Sequence, residues 1–268
     1  MDYLIEINNL TFKRGQRFIF DNVSLKIGAG ELVAVMGPSG TGKTTLMQLI
    51  TGQLRPDSGE IYVFGEPVHK LSLRALMALR EKMSILFQTG ALFSDLTVGD
   101  NIAFVLREKT RLPEELIQLL VAMKLQRVGL RGAASLRTAE LSGGMARRVA
   151  LARAITLDPE LMIYDEPFTG QDPISLGMLV KLVRDLHDGL HMTSLIVSHD
   201  VAEVSQIADR ILLFSNARLL ADGTPAALAA SSEPEVKQFM HAEAEGPVRF
   251  HYPAPDYQRQ LFGAEQPR

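Results

Sequence analysis

Along residues 3–36 apolar and polar positions alternate. Turn-forming stretches at Lys13–Gln16 and Gly28–Gly30 interrupt the alternation, which predicts several short strands. The apolar run Leu32–Met36 leads into a glycine-rich loop, Gly37–Thr45, and Leu46–Gly52 continues as helix. Residues 58–68 return to a strand pattern and 71–82 to a helical one. From Leu92 to Glu140 the spacing is helical, with a break at Leu112–Pro113. A further helix, 145–156, follows a Ser-Gly-Gly start, and another, 174–188, lies between the apolar runs Leu161–Tyr164 and Ser194–Ser198. Such short, continuously apolar runs suit strands buried on both faces of a parallel sheet. The alternation of strand and helix predicts an α/β sheet with a helical insertion. No solenoid or propeller repeat is visible. From Glu243 onward Gly, Pro and scattered aromatics predict an extended arm.

Composition narrows the classes. At 268 residues the chain has room for one large domain or two small ones, and 46% apolar against 22% charged residues is ordinary for a globular protein. A net charge of −3 disfavours strong non-specific nucleic-acid binding. The absence of cysteine excludes disulfides, thiolate catalysis and cysteine-ligated metal sites. The start, MDYLIEINNLTF, lacks the basic-then-apolar order of a signal peptide, and no apolar run approaches the ~20 residues that span a bilayer. Work at a membrane would therefore go through a partner.

The chemistry begins at Gly37-Pro38-Ser39-Gly40-Thr41-Gly42-Lys43-Thr44-Thr45, which fits the phosphate-loop pattern GxxxxGK[ST] between a strand and a helix. Glycines let successive N–H groups turn inward onto phosphate oxygens, and the following helix adds the positive end of its dipole. Lys43 is the candidate cation for the β- and γ-phosphates, and Thr44 the candidate hydroxyl ligand of Mg²⁺. A phosphate-bound Mg²⁺ needs a carboxylate at a neighbouring strand end. Leu161–Asp165 ends in one, with Asp165 orienting the Mg²⁺ shell through water, and Glu166 placed to act on the attacking water.

A second glycine pair follows Leu141-Ser142: Gly143-Gly144-Met145 opens the helix that runs on through Arg147 and Arg153. Ser142 can cap that helix, and the two glycines expose N–H groups as another anion nest. One nucleotide needs one nest at its γ-phosphate, so a second suggests another chain's nucleotide. The order phosphate loop, Ser-Gly-Gly helix, Asp-Glu strand end resembles the ABC-type ATPases, with Leu141–Met145 at the place of their signature. The resemblance implies a RecA-like mixed sheet core with an N-terminal antiparallel β-subdomain and a helical subdomain insertion. It implies an ATPase domain over 1–242, its helical subdomain at about 92–155, and a C-terminal extension, 243–268. It further implies a head-to-tail homodimer in which each ATP lies between one phosphate loop and the partner's signature.

Other positions take their expected roles from the same resemblance. Gln88 matches the glutamine that touches Mg²⁺ or water, His199 the switch histidine at the γ-phosphate, and Asp172 the loop residue that reaches across the dimer. Met145 departs from the usual Gln and cannot make its hydrogen bonds, while the backbone nest survives. The adenine-stacking position falls in Phe12-Lys13-Arg14-Gly15, where register favours Arg14 over Phe12.

Within that family the chain resembles the ATPase subunits of the Mla phospholipid-trafficking systems of double-membraned bacteria. The resemblance rests on LSGGMARR (Leu141–Arg148), DEPFTGQDP (Asp165–Pro173), FQTGALF (Phe87–Phe93) and GPVRFHYPAPDY (Gly246–Tyr257). It implies ATP-driven phospholipid transport between inner and outer membranes, maintaining outer-membrane lipid asymmetry, from the cytoplasmic face of the inner membrane. The implied partners are an integral-membrane permease (MlaE-like), a STAS-domain regulator (MlaB-like) and a lipid-binding ring protein (MlaD-like), with no nucleic acid. Phe250, Tyr252 and Tyr257 in the tail are expected to pack on another subunit. The competing class is a soluble ABC-type ATPase that remodels nucleic acid or ribosomes. Against it, there is no second phosphate loop, zinc module or long heptad run. The apolar stretch Phe87–Phe93 suits a groove for a permease helix or plain core.

Overall fold

The structure is a computed structural model, and it describes residues 3–248. In chain order the first elements are β1 (Tyr3–Arg14), β2 (Arg17–Gly28), β3 (Leu32–Met36), α1 (Lys43–Ile50), β4 (Ser58–Val63), β5 (Glu66–Pro67), α2 (Leu73–Arg80) and β6 (Met83–Leu86). There follow α3 (Val98–Lys109), α4 (Glu114–Arg127), α5 (Gly143–Ala154), β7 (Leu161–Asp165), α6 (Pro173–Leu190) and β8 (Thr193–Val197). The last are α7 (Val201–Ile207), β9 (Arg210–Ser215), β10 (Arg218–Gly223), α8 (Pro225–Ala229) and α9 (Pro234–Met240).

Two sheets result. The antiparallel one runs β2-β1-β4-β5, and the larger one runs β10-β9-β3-β8-β7-β6, parallel throughout except for β10. The larger sheet is covered on both faces, which is why its strands read as unbroken apolar runs. In β3, Val33 and Val35 enter the core shared with α1 and the antiparallel sheet, while Leu32, Ala34 and Met36 enter the core under α6 and α7. Leu161 and Ile163 of β7 face the first core, and Met162 and Tyr164 the second. A third core, from Val98 and Ile102 to Val149 and Ala152, is built by α3, α4 and α5. The helical layer thus has an interior of its own beside the sheet. Among the described residues no helix is long and apolar enough to cross a membrane.

Several boundaries differ from the pattern reading, each for a local reason. The strand expected over 58–68 breaks at Phe64–Gly65, where φ is 53° and 79° and the chain turns back as β5. The helix expected from Leu46 already begins at Lys43, because the loop itself winds into the first turn. The helix expected from Met145 begins at Gly143, since the Ser142 hydroxyl accepts the Met145 N–H at 3.3 Å and caps it. The helix expected over 174–188 runs from Pro173 to Leu190, with Asp172 as its cap. β6, β9 and β10, with the short α7, α8 and α9, are elements the pattern passes over. The break at Leu112–Pro113 falls between α3 and α4, with Pro113 preceding the first residue of α4. At the end of the described chain the Gln238 amide clasps the backbone of Val248, accepting from its N–H at 2.8 Å and donating to its carbonyl at 2.9 Å. Phe250, Tyr252 and Tyr257, on which the expected subunit contact of the tail rests, lie outside the described residues.

Candidate nucleotide site

Parallel neighbours end at one edge of their sheet, and that edge is where α/β proteins bind ligands. Here β3, β8, β7 and β6 stand side by side in that order. The segments that leave them therefore form a row: Gly37–Thr45, then Ser198–Asp200, then Asp165–Glu166, then Phe87–Gln88.

The loop after β3 needs its glycines. At Gly42 φ is 97°, and a Cβ there would run into the Ile19 side chain, while at Gly37 it would run into the Phe214 carbonyl. The α1 N-terminus has no side-chain cap and no acidic residue in its first turn, so its N–H groups are open to an anion. The Lys43 ammonium donates to the carbonyls of Gly37 at 2.7 Å and Pro38 at 3.2 Å, and Thr41 donates its hydroxyl to Pro38 at 2.9 Å. Burial pushes the Lys43 pKa down, against the pull of the Glu166 and Asp165 carboxylates.

The two carboxylates differ. Burial, and then the neighbouring Glu166 charge, push the Asp165 pKa up, while Lys43 pulls it down. Glu166 sits at φ 48°, held there by its N–H donating to the Val197 carbonyl at 2.9 Å. A non-glycine residue in that region is strained by of order 1–3 kcal/mol. Its Oε2 lies 2.9 Å from Nδ1 of His199 and accepts the Thr169 hydroxyl at 3.5 Å. The bond to Glu166 raises the His199 pKa. A half-buried carboxylate repelled by its neighbour, and an exposed Thr44 hydroxyl in the first turn of α1, are donors of the kind that suit a divalent cation bound to phosphate.

A cleft of about 680 Å³ opens above the loop, lined by Ser39, Gly40, Gly42, Lys43, Thr44 and Thr45, by Glu166, and by Arg14, Arg17 and Ile19 from the first hairpin. Arg14 donates to the Thr45 hydroxyl at 3.3 Å, so its guanidinium stands at the cleft wall. Phe12 instead packs on the core between the sheets. Ser142 and Gly143 are exposed at the start of α5, and none of Leu141–Met145 lines the cleft. Met145 packs against the core of the helical layer, so its side chain is recruited inward where a glutamine amide would be poorly served. Asp172 accepts from the N–H groups of Ile174 at 3.1 Å and Ser175 at 3.0 Å, capping α6. The Gln88 side chain is exposed.

Three arginines escaped the sequence reading as functional groups. Arg17 lines the cleft and donates to the Gly40 carbonyl at 3.4 Å; its position at the hairpin turn next to Arg14 was the available signal. Arg147 and Arg153 lie on α5, and both turn inward to carbonyls.

A phosphate cradle at the end of one strand, a carboxylate pair at the end of the next but one, and a separate capped glycine nest on a helical layer define an ATP-binding cassette, an ATPase module. Residues 20–169 match the family model described as ABC transporter, and the chain belongs to that family. The intermembrane phospholipid transport system ATP-binding protein MlaF of Haemophilus influenzae is 55% identical over 259 residues, covering 97% of this chain and 98% of that one. Among solved structures, cbiO1 from Clostridium perfringens, part of the ABC transporter complex cbiONQ, is 30% identical with a TM-score of 0.80, over 87% of this chain and 93% of that one. The ATP-binding cassette MJ0796, solved as a dimer in a post-hydrolysis state bound to ADP and Pi, is 28% identical with a TM-score of 0.73, over 82% and 98%.

Proposed function

We propose that this chain is the ATP-hydrolysing subunit of a transporter that moves phospholipid between the inner and outer membranes of a double-membraned bacterium and so maintains outer-membrane lipid asymmetry. The observation that carries this reading is the 55% identity to the Haemophilus influenzae MlaF along nearly the whole of both chains. The alternative, a soluble machine acting on nucleic acid or ribosomes, has no comparable support. The ATPase domain occupies 1–242, with its helical subdomain at about 92–155.

Two copies form the working unit. Each ATP is gripped by Gly37–Thr45 of one chain, with Arg14 against the adenine, and is covered by Ser142 and Gly144 of the other. Support comes from the cleft itself, which Leu141–Met145 of the same chain leave open. Thr44, Gln88 and Asp165, the last through water, would hold Mg²⁺, which would neutralise phosphate charge. Glu166 takes a proton from the attacking water, or orients it, and His199 holds Glu166 and meets the charge developing on the γ-phosphate. Asp172 stands where the two chains meet. ATP thereby closes the dimer, hydrolysis opens it, and the ligand biases a two-state element.

The permease (MlaE-like) docks beside Gln88, on the cytoplasmic face of the inner membrane. There Phe87, Phe93 and Phe104 stay exposed beside a cleft of about 250 Å³ lined by Met77, Leu86, Val105 and Ala150. A STAS-domain regulator (MlaB-like) and a lipid-binding ring protein (MlaD-like) complete the assembly. Leu116, Leu119 and Met123, with Leu112 just before the helix, give α4 an exposed apolar stripe open to such a partner. Purification of the native complex from membranes tests the reading: an integral-membrane protein and phospholipid should accompany the chain. Recovery with ribosomes or nucleic acid, and no membrane protein, would overturn it.

A further inference from the structure

The loop that carries Gln88 is held by α5. Arg147, 7% exposed, donates through Nη1 to the carbonyls of Phe87, at 3.2 Å, and Gln88, and through Nη2 to the carbonyl of Thr169 at 3.4 Å. Two turns on, Arg153 donates to the Gly90 carbonyl at 2.9 Å, and its guanidinium lies 5.4 Å from the Phe93 ring centre. Burial lowers the pKa of both arginines, and among the described residues no carboxylate opposes that effect in either. A cation withdrawn from water without a counter-ion is tolerated only when fixed dipoles replace the water. Here those dipoles are the carbonyls of residues 87, 88, 90 and 169.

The same helix touches the segment after β7 at its other end. A Cβ on Gly144 would lie 2.8 Å from the Ser175 hydroxyl, so the first turns of α5 and α6 meet without room for a side chain. α5 therefore fixes three things at once: its own exposed Ser142–Gly143 start, the Gln88 loop, and the segment from Thr169 to Ser175.

We infer that Arg147 and Arg153 are positioning residues that bind the Gln88 loop rigidly to α5, so that seating Ser142–Gly143 on the partner's nucleotide sets Gln88 in its own site. The two nucleotide sites of the dimer are thereby coupled through α5. This inference rests on the roles proposed above for Gln88 and Ser142.

The test is a double-mutant cycle in the full chain with Arg147→Met, Gln88→Ala and the pair, reading kcat, KM for ATP and the Hill coefficient. Arg147→Met should lower kcat about tenfold with KM within about threefold, and should bring the Hill coefficient toward one. Gln88→Ala should add less than about a twofold loss in the Arg147→Met background, because both remove the same positioned group. Losses that multiply independently, or an unchanged Hill coefficient, overturn the inference. If Gln88→Ala alone leaves kcat at the native value, the proposed role of Gln88 falls, and the inference falls with it. If Gln88→Ala is slow while Arg147→Met turns over like the native chain, only the inference falls. Should Arg147→Met not fold, Arg147→Lys and Arg153→Gln supply the readout. Lys keeps the charge but cannot span three carbonyls, and it should show the same loss of cooperativity at native thermal stability; full cooperativity in both variants overturns the coupling.

Discussion

Replacing Glu166 with Gln tests the chemistry of the site most directly. The amide has nearly the shape of the carboxylate, and its oxygen can still face His199 Nδ1 and the Thr169 hydroxyl, at 2.9 and 3.5 Å in the native chain. The backbone at φ 48° is held by the Val197 carbonyl and is indifferent to the change. What is lost is the group able to take a proton. General-base catalysis contributes roughly 10²–10⁴ in rate, or about 3–5 kcal/mol of barrier at 1.36 kcal/mol per decade. Electrostatics move ATP binding the other way. Glu166 lines the same cleft as Lys43, and its charge opposes an incoming triphosphate while raising the Asp165 pKa. Its removal should leave affinity equal or tighter, so the ATP-closed dimer accumulates. Phosphate release at saturating ATP, equilibrium nucleotide binding and size-exclusion of the ATP-loaded chain together decide the matter. Turnover within about threefold of native would refute the assignment. Loss of affinity in parallel with turnover would also refute it, since Glu166 would then be acting on the phosphate loop.

Three further outcomes follow from the geometry. Arg14→Ala should raise KM for ATP about two- to thirtyfold, the span of a cation–π contact of about 0.5–2 kcal/mol, with kcat little changed; unchanged KM removes Arg14 from base stacking. Gly42→Ala places a Cβ at φ 97° against Ile19 and Phe20 and should lower unfolding stability by about 2 kcal/mol or more and abolish nucleotide binding, read by denaturant melts and titration. His187 is buried with Nδ1 3.0 Å from the Ser194 hydroxyl, and burial, aided by Arg184, lowers its pKa below the free value of 6.5. The unfolded chain then takes up a proton that the native chain refuses. Stability is intact above pH 6.5 and falls as pH drops below it, and His187→Gln should flatten that part of the melting-temperature profile. An identical slope in the variant would show that other groups set it.

How far the sequence reached depends on how each feature is encoded. Local backbone chemistry reads directly: a loop that must present N–H groups to an anion needs glycines at fixed spacing, and Gly37, Gly40 and Gly42 all have positive φ. Strands buried on both faces also read, because β3, β7 and β8 carry unbroken apolar runs of five, four and three residues. β6 was lost for the opposite reason. Its four residues, Met83–Leu86, carry a serine, and the first three lie only partly buried on the sheet edge, so no period separates them from the helix before. β9 is as apolar as β8, and nothing local marks Arg210, its first residue, as a strand start rather than a surface charge. Function held in contacts between distant segments was least visible. His199 meets Glu166 only because β8 and β7 are neighbours in register, Asp165 opposite Val197. Arg147 was legible as a letter in a motif but not as a clamp, since its partners are backbone carbonyls 59 and 60 positions upstream and 22 downstream. Any residue offers a carbonyl, so no residue type records such a contact. A buried arginine whose counter-charge is backbone leaves no partner in the sequence to find, and it emerges only once the fold has placed the helix against the loop.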